Sequence, residues 1–123
     1  MRLLVADDDP GIGSMLSRVL QAEGHTVLTA STGAAFQELM AKEKVDLALL
    51  DGQLGDMNAL DLLASARVQE WDVPIVVISG LTEGQDAEGL LRAGAVRVIE
   101  KPFDIGLIRS VVQEYTEEPK ARG

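Results

Sequence analysis

A chain of 123 residues and 13.1 kDa, 46% hydrophobic and 25% charged, has the size and apolar content of one folded domain and not of a disordered segment. The absence of cysteine and the single histidine, His25, exclude disulfides, thiolate chemistry and Cys- or His-cluster metal centres. A net charge of −9 opposes direct binding to nucleic acid or an anionic membrane, and no apolar run approaches the roughly 18 residues that span a bilayer. The opening Met1-Arg2-Leu3-Leu4-Val5-Ala6 meets three aspartates too soon for a signal peptide, so a cytoplasmic protein is expected.

In chain order, a first strand is predicted over Leu3–Ala6. A helix follows, with Pro10 in its first turn, a stripe of Ile12, Met15, Leu16, Val19 and Leu20, and a stop at Gly24. The second strand is Val27–Thr29 and the second helix carries Phe36, Leu39 and Met40. Leu47–Leu50 is the third strand; Asn58 then caps a helix with Leu60, Leu63 and Ala66 on its apolar side. Trp71 packs a loop edge before the fourth strand, Ile75–Ile78. Thr82 and Gln85 read as a capping box for a helix with Ala87, Leu90 and Leu91, ending at Gly94. The fifth strand, Val96–Ile99, is interrupted by Arg97 and is therefore placed at a sheet edge. Asp104 caps a last helix with Ile108, Val111, Val112 and Tyr115 at i, i+3, i+4 and i+7. Residues 1–116 form the domain and the polar 117–123 a tail or the start of a linker. Strands that stay apolar on successive residues, alternating with helices, predict a doubly wound α/β fold with a parallel sheet.

Ligands of such sheets bind at the carboxyl ends of the strands, where strand order reverses. Those ends carry Asp7-Asp8-Asp9, Asp51, Ser79-Gly80 and Glu100-Lys101-Pro102, while the second strand ends without charge in Ala30-Ser31-Thr32. If the first and third strands are neighbours, Asp7, Asp8 and Asp51 converge, and their repulsion calls for protons or a cation. Oxygen donors alone favour Mg²⁺ before Mn²⁺, with a phosphate completing the shell. Lys101 adds a point charge for a phosphate oxygen, and Ser79 a hydroxyl donor. Singly, each of these residues reads as a helix cap, a turn or a solvated side chain, and His25 as a satisfied residue. Their collection at one end of the strands is what points to a site.

Four segments carry a family likeness. They are Leu3-Leu4-Val5-Ala6-Asp7-Asp8-Asp9-Pro10, Asp46-Leu47-Ala48-Leu49-Leu50-Asp51, Ile75-Val76-Val77-Ile78-Ser79-Gly80 and Val98-Ile99-Glu100-Lys101-Pro102-Phe103. Spaced 43 residues from Asp8 to Asp51, 28 to Ser79 and 22 more to Lys101, they resemble the receiver domains of two-component response regulators, from Leu3 to about Tyr115. The resemblance implies a flavodoxin-like sheet of order 2-1-3-4-5 with five helices. It also implies a bacterial signalling domain, not an enzyme with a separate substrate, that catalyses its own phosphoryl transfer and dephosphorylation.

Under this likeness Asp51 accepts a phosphoryl group from the phosphohistidine of a sensor histidine kinase or phosphotransfer protein. Asp8, Asp51 and the backbone carbonyl of Gln53 ligate Mg²⁺, and Asp7 holds a metal-bound water. Lys101 neutralises charge, Ser79 moves to the phosphoryl oxygen, and the Lys101–Pro102 peptide is cis. An effector protein is expected on helix four, strand five and helix five. Three positions depart from the family pattern. Gly55 stands for the usual proline after the acceptor, which predicts a looser loop; Ala59 replaces a common glycine; Val98 holds the place of the aromatic switch residue.

A small Mg²⁺-dependent phosphatase or phosphotransferase with its Asp nucleophile on strand one fits Asp7-x-Asp9, but needs more chain than 123 residues. Flavin binding is opposed by the three aspartates and by 3% aromatics. A degenerate receiver used only for binding is opposed by the complete Asp7, Asp8, Asp51, Ser79 and Lys101 set.

Overall fold

The computed structural model describes residues 1–80 and 86–117. Five strands, β1 (Arg2–Ala6), β2 (Thr26–Ala30), β3 (Leu47–Asp51), β4 (Ile75–Ser79) and β5 (Arg97–Glu100), alternate with helices α1 (Pro10–Ala22), α2 (Gly33–Lys42), α3 (Ala59–Gln69), α4 (Ala87–Ala93) and α5 (Ile105–Glu117). All pairings are parallel, in the order β2-β1-β3-β4-β5. No helix among the described residues is long and apolar enough to cross a membrane.

The continuous apolar runs are explained by cover on both faces. On β1 and β3, Leu3, Val5, Leu47 and Leu49 point into a core shared with Leu16 and Leu20 of α1 and Ile108, Val111 and Val112 of α5. Their neighbours Leu4, Ala6, Ala48 and Leu50 point the other way, into a core with Phe36, Leu62, Leu63 and Leu90 of α2, α3 and α4. Every residue of β3 and β4 is buried. β5 is an edge, as Arg97 indicates, and β2 is the other.

Several boundaries and faces differ from the sequence reading. β5 begins at Arg97, leaving Val96 outside it and 44% exposed, because pairing and not apolarity sets the end of an edge strand. On α3 the buried face is Ala59, Leu62, Leu63 and Ala66, whereas Leu60 is 41% exposed. Steps of three drift around a helix of 3.6 residues per turn, and only the i, i+3, i+4, i+7 set stays on one side. Met15 and Leu91 likewise lie on outer flanks. Thr82 and Gln85 lie outside the described residues; α4 is capped by Asp86, whose carboxylate accepts from the Gly89 amide. The caps at Asn58 and Asp104 and the stops at Gly24 and Gly94 stand as expected. Trp71 sits edge-on to Phe36, ring centres 6.4 Å apart, and His25 Nδ1 lies 3.3 Å from the Met1 amine.

Candidate functional site

Strand order reverses between β1, whose continuation turns to β2, and β3, which leads to β4. The chain leaves the top of β1 through Asp7, whose amide still bonds Ala30 O (3.0 Å). Asp9 caps α1, taking the Gly11 amide at 2.9 Å. Its own amide donates to Asp7 Oδ1 at 2.8 Å, which turns the Asp7 carboxylate inward and buries it. Asp8, between them, is exposed. Asp51 ends β3 at 4% exposure, fixed beyond its own position by the Gly52 amide bonded to Ile78 O (2.8 Å).

Asp7, Asp8 and Asp51 each bring a carboxylate oxygen within 4.8 Å of the other two. Lys101 Nζ donates to Asp51 Oδ1 at 2.8 Å, and the Gln53 amide reaches the same oxygen at 3.4 Å. Ser79 is buried at the end of β4 with its hydroxyl 3.4 Å from Gly80 O. It is tied to the lysine strand through Lys101 N–H donating to Ser79 O (2.9 Å). The Lys101–Pro102 peptide is cis. The sequence-predicted residues Asp7, Asp8, Asp51 and Lys101 thus come together at the carboxyl ends of the strands, with Ser79 ending the adjacent β4 and Gln53 opening the loop after β3.

Electrostatics disfavour this cluster in isolation. Burial, chiefly, raises the Asp7 pKa to about 6; the Asp9 amide opposes this, the charge of Asp51 adds to it, Lys101 opposes it and Asp8 adds to it. With all three aspartates ionised, these three and Lys101 together carry two net negative charges, the charge that one divalent ion balances. The donors are carboxylate oxygens, which suits a hard cation. The acidic cluster fits a metal ion on chemistry and on spacing.

The β3–α3 loop adds one residue. Gly55 has a φ of +79°, which proline, held near −65°, cannot adopt. The loop is closed by Leu54 N–H to Met57 O (2.9 Å), Ala59 N–H to Gly52 O (2.9 Å) and the Gln53–Asn58 bridge, over a buried Leu54. Asp56, which the sequence reading passed over, accepts from the Gly33 amide at 2.8 Å and the Ala34 amide at 3.2 Å. These bonds, the one from Gly33 foremost, hold its carboxyl below the usual range. No local motif marks Asp56, because its partners lie 23 and 22 residues away. Val98 is half-buried against the α2–α3–α4 side of the core, opposite Val77.

Comparison with known proteins agrees with this fold. The family model described as the response regulator receiver domain matches residues 3–113. The chain is 29% identical over 114 residues to sporulation initiation phosphotransferase F of Bacillus subtilis (strain 168), covering 93% of this chain and 92% of that protein. To transcriptional regulatory protein KdpE of Mycobacterium tuberculosis (strain ATCC 25618 / H37Rv) it is 38% identical over 102 residues, covering 82% and 44%. The crystal structure of the receiver domain of NtrX from Brucella abortus superposes with a TM-score of 0.84 at 30% identity, covering 95% and 99%. The chain spans about a quarter of the length of several other curated relatives that it matches. On the match across residues 3–113 and on the sheet order, the chain belongs to the family of response regulator receiver domains of two-component systems.

Proposed function

We propose that the chain is a phospho-accepting switch in which Asp51 takes a phosphoryl group from a partner's phosphohistidine. The observation that carries this reading is the convergence of three carboxylates within 4.8 Å with Lys101 Nζ 2.8 Å from the carboxylate of Asp51. An Asp51 carboxylate oxygen attacks phosphorus; the new O–P bond forms as the P–N bond to the donor imidazole breaks, and that nitrogen keeps the electron pair. Lys101 moves from pairing with Asp51 to balancing the charge of the bound phosphoryl oxygens. Asp8, Asp51 and the Gln53 carbonyl would hold Mg²⁺, with Asp7 behind a metal-bound water. Bound there, Mg²⁺ neutralises charge on the transferring group.

The Ser79 hydroxyl is the donor assigned to the phosphoryl oxygen, and its movement is the conformational signal. The same pocket later admits water, so the acyl phosphate is hydrolysed and the switch resets. An effector protein reads the state on α4, β5 and α5, and the whole works in the cytoplasm without contacting nucleic acid or membrane. The experiment is intact mass after incubation with a small acyl-phosphate donor, with and without Mg²⁺. Wild type gains one phosphoryl group only with Mg²⁺, and Asp51→Asn gains none. Retention of the group in Asp51→Asn would remove the assignment, and its loss in Asp7→Asn alone would favour a nucleophile on β1.

A further inference from the structure

The β3–α3 loop is held by a side chain that the proposed chemistry does not use. The two carboxylate oxygens of Asp56 take the first two amides of α2, Gly33 N–H at 2.8 Å and Ala34 N–H at 3.2 Å. A helix leaves these amides unsatisfied, and its positive end favours an anion. Beside them, Met57 closes on Gly33 so tightly that a Cβ there would fall 2.7 Å from Met57 Cβ. The other side of the same loop faces the acidic crevice: a Cβ on Gly55 would stand 3.9 Å from Asp8 Oδ2. The loop is therefore tied to the start of α2 on one side and lies beside Asp8 on the other. Gly55, at φ +79°, lacks the fixed torsion a proline would supply, so the tie to α2 adds to the bonds the loop makes within itself.

We infer that Asp56 is a positioning residue: tying the loop to α2 sets where Gly55 and Gln53 lie against Asp8 and Asp51, and so sets the affinity of the cluster for a divalent cation. This rests on reading the cluster as a Mg²⁺-assisted phosphoryl acceptor. The charge of Asp56 is not what acts; the tie is. Asparagine at 56 keeps one acceptor oxygen without the charge, and alanine keeps neither.

The test is calorimetric titration of Mg²⁺ into wild type, Asp56→Ala and Asp56→Asn, with amide hydrogen exchange at Gly33 and Ala34 in the metal-free proteins. Asp56→Ala should bind Mg²⁺ about ten-fold more weakly, the low end for residues that orient a metal shell. Its Gly33 and Ala34 amides should exchange faster, and Asp56→Asn should fall between. At saturating Mg²⁺, phosphorylation of Asp56→Ala by a small acyl phosphate should return to the wild-type rate, because the reacting groups are untouched. Unchanged affinity in Asp56→Ala alongside faster exchange would overturn the inference, and so would equal losses in the Asn and Ala variants. Failure of the functional reading looks different: Asp51→Asn would still take up a phosphoryl group, whatever the Asp56 variants do.

Discussion

Asp7 is buried beside two other carboxylates, and the fold resists its ionisation. Its pKa rises from 3.8 to about 6, so below about pH 4 it is protonated in both folded and unfolded chains and exacts no penalty. Between about pH 4 and pH 6 the unfolded chain gives up this proton while the folded chain holds it, so stability falls across that window, by roughly 2–3 kcal/mol if the whole displacement is expressed, and levels off above it. Metal-free Asp7→Asn, whose amide oxygen still accepts from Asp9, should therefore exceed wild type in stability at pH 7.5 and lose most of that margin by pH 4. Denaturant midpoints at the two pH values check this; a margin equal at both would contradict it. Val98 makes the opposite kind of statement. A short β-branched side chain packed against the core is stiff at χ1 and cannot swing between two positions. Val98→Ala should leave the gain in partner affinity on beryllofluoride binding nearly intact, while Ser79→Ala reduces it. Loss of the gain in Val98→Ala with fold and phosphorylation unimpaired would make position 98 part of the switch.

α3 shows how far an element could be read in advance. Its start was legible, because the Asn58–Asp61 capping box is local: Asp61 N–H donates to Asn58 Oδ1 at 2.9 Å and Asn58 N–H to Asp61 Oδ2 at 3.3 Å. Asn58→Ala should cost about 1 kcal/mol, read as a lower denaturant midpoint with unchanged slope; no change would mean that the cap is replaced by solvent. Of the residues read for its buried face, Leu63 and Ala66 stand and Leu60 does not, since Leu60 is as apolar as Leu62 and only packing against β1, β3 and β4 separates them. The loop before it was read least well. The torsion at Gly55 and the reach of Asp56 to α2 depend on elements far apart in the chain, which no local pattern encodes. Gly55→Ala forces a side chain into the left-handed region and should cost roughly 1–2 kcal/mol without a clash at Asp8. A larger loss would show that the loop is packed more tightly there than the 3.9 Å approach to Asp8 implies.

At the scale of the molecule the parallel order explains why the site was legible before any distance was known. A doubly wound sheet gathers the residues after β1 and β3 at its reversal point, so Asp7, Asp8 and Asp51 had to meet once those two strands were neighbours. What the topology could not give is the burial that separates Asp7 and Asp51 from exposed Asp8. A cluster destabilising by itself makes the fold responsive to a cation. Binding to the folded state alone stabilises by RT ln(1 + [L]/Kd), about 2.7 kcal/mol at a hundred times Kd. The melting temperature should rise with Mg²⁺ in wild type. Asp8→Ala should weaken that rise and start from a more stable metal-free state. An undiminished response in Asp8→Ala would place the metal elsewhere.

The central claim is that the bond to phosphorus forms at Asp51 and at no other carboxylate of the cluster. It is tested most directly by trapping the phosphorylated protein with borohydride, which reduces an aspartyl phosphate to homoserine, and locating the changed residue by peptide sequencing. Homoserine at position 51 alone is the predicted result. Homoserine at position 7, 8 or 9, with aspartate intact at 51, would contradict it.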